Sequence, residues 1–143
     1  MKKSTTRGAE YILSASFEFT ITDTMANVSG AGQAFAAAAG VFEAVFLPPS
    51  SQIVGGDITV IAVSDETGTA TISVGDETLA TRYASAVSLK TAARTALTPT
   101  GFQNLAGENL RVTLANANGN ATAGKVKVTV QYISGKTNEV QTH

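Results

Sequence analysis

The side chains able to do chemistry in this sequence are few. The acids come closest to a pattern. Val63-Ser64-Asp65-Glu66-Thr67 recurs eleven residues later as Val74-Gly75-Asp76-Glu77-Thr78. Paired carboxylates can serve as a general acid and base or hold a hard cation. Two readings fit here: a weak cation site built from Asp65, Glu66, Asp76 and Glu77, or two strands that end in similar acidic turns. The spacing lacks the glycine and ligand positions of a helix-loop-helix calcium loop. The single histidine is His143, the last residue, and there is no cysteine. A Ser-His-Asp triad, a thiolate nucleophile and most zinc sites are therefore not expected. Gly30-Ala31-Gly32 is the nearest glycine cluster, and it matches neither a P-loop nor a dinucleotide fingerprint. With no Trp and three Tyr, the chain has little to line a sugar site. No cofactor, no metal and no enzymatic activity are expected.

The elements that would position these groups read as strands. The chain of 143 residues suits one domain. Period-2 alternation dominates, and no 3.6-residue stripe competes with it. Phe17, Phe19 and Ile21 alternate with Glu18, Thr20 and Thr22. Val126, Val128, Val130 and Tyr132 alternate with Lys125, Lys127, Thr129 and Gln131, the clearest half-buried strand in the chain. Shorter alternations surround Ile58, Ile72 and Val112. Val41 to Leu47 is apolar on both faces, which suits a buried strand and places Phe42 and Phe46 in the core with Phe17 and Phe19. Ser64 to Gly68 reads as a hairpin loop, Asn118-Gly119 as a turn with positive φ, and Gly55-Gly56 as a bulge at the start of a strand. Asn27 to Gly40, rich in Ala and Gly, reads as a long loop. Tyr83 to Leu97 allows either a helix or a strand. The expected fold is all-β: a jelly-roll-like antiparallel sandwich of about eight strands.

Composition bears on partners. Only 15% of residues are charged, while 20 Thr and 23 Ala supply much of the rest. Such a surface favours contact with other proteins over long-range repulsion. The net charge of −1 argues against a nucleic-acid partner. The most apolar stretch, Ala34 to Leu47, is too short to span a bilayer, so no membrane partner is expected. Ser4 to Gly8 stands where a signal peptide would place its apolar run. Charge is segregated along the chain: residues 8–81 hold nine acids and no Lys or Arg, and residues 82–143 hold seven basic and two acidic residues. Either the surface is polarised, or acidic and basic strands lie side by side. Residues 1–8, with Lys2, Lys3 and Arg7, read as a flexible basic arm ahead of a single domain at 9–143.

Thr81-Arg82-Tyr83, Leu89 to Thr95, Leu97 to Gly101, Leu110 to Leu114 and Gly124 to Tyr132, closing near Asn138-Glu139, resemble small virion proteins of tailed bacteriophages. With the Thr/Ala composition and the missing Cys, the chain resembles capsid cement or decoration proteins over roughly residues 40–140. The resemblance implies a jelly roll on the outer capsid surface, made in the host cytoplasm. It implies a homodimer or homotrimer that bridges capsomers of the major capsid protein without covalent bonds. The contact residues expected on that reading are Lys2, Lys3 and Arg7 of the arm, Phe35 of the Asn27–Gly40 loop, and Arg82, Tyr83 and Arg94. Another phage part (a head-fibre base, tail tube or adaptor) and a carbohydrate-binding sandwich stand as alternatives.

Overall fold

A computed structural model describes residues 12–134. Eleven strands run β1 (Leu13–Thr20), β2 (Thr24–Ala26), β3 (Gly32–Ala34), β4 (Ala39–Val45), β5 (Ser51–Ala62), β6 (Ala70–Gly75), β7 (Ala84–Ser88), β8 (Arg94–Ala96), β9 (Gln103–Asn104), β10 (Leu110–Asn116) and β11 (Lys125–Ser134). There is no helix among the described residues. One sheet has the order β1-β11-β5-β8, with β9 also pairing β5, and the other has the order β4-β10-β6-β7. Strands β2 and β3 form a separate hairpin. Every pairing is antiparallel. The result is a jelly-roll-like sandwich, as the alternation predicts.

The core lies between the two sheets. From β11 it receives Val126, Val128 and Val130, and from β10 Leu110, Val112 and Leu114. Ile72 and Val74 of β6 and Ile58 and Val60 of β5 complete its centre. Burial of such side chains is the main favourable term in folding, about 1.5–3 kcal/mol each. An aromatic chain closes one side. The Phe19 and Phe35 rings stack with centroids 4.4 Å apart, and Phe42 lies 4.5 Å beyond Phe35. Phe35 follows the β2–β3 hairpin and so joins edge strand β1 of one sheet to edge strand β4 of the other. The Val28 N–H of the same hairpin donates to the Val41 carbonyl. This partly covers the β4 edge.

Two bulges set which side chains turn inward. Phe42 and Leu47 are both buried although five residues apart. The register shift at Leu110/Arg111, where Glu43 pairs Arg111 and Val45 pairs Leu110, changes the parity of β4. Phe46 is thereby turned out and is 70% exposed. Its expected place in the core is corrected, and β4 is an edge strand rather than a central one. Ile53 and Ile58, also five apart, are both buried because β5 shifts register between its pairings with Gln131 and Tyr132. Gly55-Gly56 does mark this bulge, inside a long strand rather than at its start. Gly56 has φ 135°, and a Cβ there would strike the Thr129 carbonyl.

Other local expectations change too. The Asn27–Gly40 segment contains β3 and the start of β4. The Tyr83–Leu97 segment resolves into strands β7 and β8, one in each sheet. Ser64 to Gly68 is not a hairpin loop, because it carries the chain from β5 in one sheet to β6 in the other. Turn-forming residues serve an arch between sheets as well as a hairpin, so their chemistry does not name the destination. Gly119 has φ 64°, as Asn118-Gly119 suggests.

The bulge predicts unequal glycine substitutions. Gly56→Ala should lower stability by about 2 kcal/mol or more, from strain plus the collision with Thr129. Gly30→Ala, also at positive φ (87°) but with nothing within 4 Å, should cost less. Thermal denaturation of the two variants beside the parent checks the order.

Candidate interaction surfaces

The loops at the two ends of the sandwich are built on different principles. At one end, the 63–69 arch meets the 117–124 loop. Asp65 Oδ1 accepts from the N–H groups of Thr122 (2.7 Å) and Ala123 (2.9 Å), and its Oδ2 accepts from the Thr122 hydroxyl (2.6 Å). These donors hold the Asp65 carboxyl down at about 2, from an ordinary 3.8, with the Thr122 hydroxyl first among them. Glu66 is buried. Burial works to raise its pKa, but the N–H groups of Asn120, Gly68 and Asn118 outweigh it and keep the carboxyl below its usual range. Lys90 Nζ donates to the Glu66 and Gly68 carbonyls at 2.7 and 2.9 Å. Buried Asn116 donates to the Phe35 and Ala37 carbonyls, both at 2.9 Å. The first Asp-Glu pair is thus engaged with backbone, binding one arch to another.

The second Asp-Glu pair diverges. Asp76 is buried and accepts from the N–H groups of Thr78 and Leu79. It also takes Arg82 Nε at 2.5 Å, and the Arg82 guanidinium carbon lies 3.6 Å from the Phe102 ring centre. Glu77 is exposed and lies 3.9 Å from Arg111, which also pairs with Glu43 at 3.2 Å. Among the described residues no group of three or more His, Asp and Glu side chains comes together to hold a metal.

The expected contact residues fall in different places. Lys2, Lys3 and Arg7 lie outside the described residues. Phe35 and Tyr83 are buried core side chains and offer a neighbour no surface. Burial, aided by the Asp76 carboxylate, pushes the Tyr83 phenol up to about 12. Arg82 is a strut within the fold, held between Asp76 and Phe102. Arg94 stays exposed while its Nε reaches Asp57 at 2.7 Å. The ion pairs Arg82–Asp76, Arg94–Asp57, Arg111–Glu43 and Lys125–Glu18 each join the acidic stretch of sequence to the basic one. The segregated charges are interleaved by the fold rather than polarised.

The opposite end carries what sequence reading missed. Leu13 pairs Tyr132 and Ser134 pairs Ser51, so β1 starts there and β11 finishes there. The Ser50 N–H donates to the Asn104 carbonyl, Asn104 Oδ1 accepts from the Gly107 and Glu108 N–H groups, and a Cβ at Gly107 would come within 3.2 Å of the Pro49 ring. Thr78 reaches over to Glu108 at 2.8 Å. On this ordered frame Ile12, Leu13, Phe46, Val54, Leu79 and Leu105 are exposed, Phe46 and Leu105 each by 70%. No alternation pattern marks Leu105 or Leu79 as surface apolar groups.

The whole described architecture, two four-strand paths with arches at both ends, has counterparts. Its fold is shared by chains of phage capsids. A chain of the cyanophage Pam1 capsid asymmetric unit superposes with a TM-score of 0.67 at 21% identity, over 94% of this chain and 92% of that one. A chain of the acidic stable capsid structure of Helicobacter pylori bacteriophage KHP30 gives 0.60 at 20% identity, over 85% and 86%. A chain of the Ralstonia phage GP4 capsid gives 0.60 at 16% identity, over 94% and 90%. No protein-family model and no curated protein matches the sequence. The capsid chains therefore match this one in size and in fold, without close similarity of sequence.

The arch held by Asp65 predicts an acid dependence. A carboxyl whose pKa is depressed on folding stabilises the fold above its unfolded pKa, and that contribution fades as pH falls from about 4 to about 2. Asp65→Asn should melt below the parent at neutral pH, and the gap should narrow through that window. Melting temperatures of both proteins at stepped pH measure it.

Proposed function

We propose that this chain is a structural protein of a phage virion, one that binds the outside of the capsid and cements neighbouring capsomers. The observation that carries the reading is the likeness to the Pam1 capsid chain over nearly the whole length of both. It supports a capsid part built on this sandwich. Its partners on this reading are the major capsid protein and further copies of itself, as a dimer or trimer, with no role for a cofactor, nucleic acid or membrane.

The physical character of the chain suits cementing. The carboxylates best placed for chemistry, Asp65, Glu66 and Asp76, are engaged with backbone N–H groups or with Arg82. What the surface offers is area: Thr, Ala and exposed apolar side chains. Many modest contacts engaged together give large avidity without a covalent bond. A protein that binds the assembled shell and not its loose subunits stabilises the shell by mass action.

Shells lacking the protein should assemble but release their contents at a lower temperature than decorated ones, and added purified protein should restore the difference. Release of packaged DNA on heating, followed with an intercalating dye, reads this out. Equal release temperatures for bare and decorated shells would refute the cementing role.

A further inference from the structure

We infer that the end of the sandwich bearing Phe46, Leu79 and Leu105 is the face that meets the capsid shell, and that the shell offers it an apolar surface rich in Lys or Arg. The inference rests on the capsid role proposed above and gives that role a surface, a partner chemistry and an orientation. Nine large apolar side chains are exposed in the described fold, and six of them belong to this end. Scattered exposed apolar groups need no explanation, but a concentration of them marks an interaction surface. Three loops carry them as one ordered frame. The Ser50 N–H ties the first loop to Asn104, Asn104 Oδ1 gathers Gly107 and Glu108, and the Thr78 hydroxyl reaches Glu108.

Unmet negative charge identifies the occupant. Asp76 is satisfied within the fold by Arg82 and two backbone N–H groups. The remaining carboxylates of this end, Glu43, Glu77 and Glu108, have one guanidinium among them. Arg111 donates to Glu43 at 3.2 Å but stands 3.9 Å from the exposed Glu77, too far for a hydrogen bond. Glu108 accepts from the Thr78 hydroxyl and pairs with no cation among the described residues. What these groups lack is a Lys or Arg from outside. Elsewhere the carboxylates are met: Asp65 and Glu66 by loop N–H groups, Glu18 and Asp57 by Lys125 and Arg94. A second copy meeting this end with its own would set carboxylate against carboxylate, so the occupant is a different protein. In the proposed role that protein forms the outer surface of the shell. Apolar groups supply the buried centre of the contact, and cations beside Glu77 steer it and fix its register. The sandwich then stands end-on, with the 63–69 arch pointing away from the shell.

Cosedimentation of purified protein with shells lacking it, at stepped salt, tests this. Phe46→Ser with Leu105→Ser should weaken shell binding by about 100-fold. Its circular dichroism and melting temperature should stay near the parent's, since both side chains are already exposed. Ile61→Ser with Val63→Ser, which removes exposed apolar surface near the arch instead, should bind like the parent. Glu77→Lys, an independent variant on the rim, should weaken binding by about 10-fold and make it less sensitive to salt. If the parent binds shells and the folded Phe46/Leu105 variant binds equally well, or the arch variant loses as much, the inference is overturned while the capsid reading stands. Unchanged binding and salt response in Glu77→Lys overturn the basic partner. A Phe46/Leu105 variant that loses self-association yet still binds shells would assign this end to a second copy, and also overturns the inference. A parent that binds no shell overturns the capsid reading itself, and this inference with it.

Discussion

Capture of loop backbone by side chains where the 63–69 arch meets the 117–124 loop is what the rest of this sandwich depends on. The chain has no disulfide and no metal cluster among the described residues, yet most connections between its large strands cross from one sheet to the other. A crossing arch leaves backbone N–H and C=O groups without a neighbouring strand, and burying them unpaired costs about 1–3 kcal/mol each. Asp65 and Glu66 accept N–H groups of the facing loop, while Asn116 and Lys90 donate to carbonyls. The acids that resemble a catalytic or cation-binding pair are the fastening between arches. Their lowered pKa values follow from that use.

With one end fastened and the core filled, the other end is free to present apolar groups. Phe46 and Leu105 are exposed on loops that are themselves hydrogen-bonded, so a partner would meet a surface already in shape. Preorganisation of this kind reduces the ordering cost of association. The interleaved ion pairs act differently. Lys125–Glu18 is solvent-exposed and Arg94–Asp57 is exposed on its arginine side, and such pairs contribute little to stability. Arg82, between Asp76 and Phe102, is largely buried. Removing it would leave the Asp76 carboxylate short of a partner, which is the costly case.

The likeness to phage capsid chains and the low sequence identity to them fit together. A sandwich needs only alternation and correctly placed turns, so identities of 16–21% are compatible with TM-scores of 0.60 to 0.67. A fold so tolerant of substitution hosts many functions. The proposed capsid role therefore rests on a match that spans 94% of this chain and 92% of the Pam1 chain, together with the character of the surface, and not on the sandwich alone.

The sequence by itself determined the strands with clear alternation, the wet and dry faces of β10 and β11, the left-handed turn at Gly119 and the lack of cysteine and of any histidine before His143. Those properties are local: side-chain alternation and backbone freedom act within a few residues. The tertiary structure alone decided that Ser64 to Gly68 is an arch, that Phe46 turns out while Leu47 turns in, and that Phe35, Tyr83 and Arg82 belong to the interior. It also decided that the acidic and basic stretches interleave. Most of these depend on a partner strand far away in the chain, because hydrophobic burial has no direction of its own and a single extra residue in a ladder reverses every side chain beyond it.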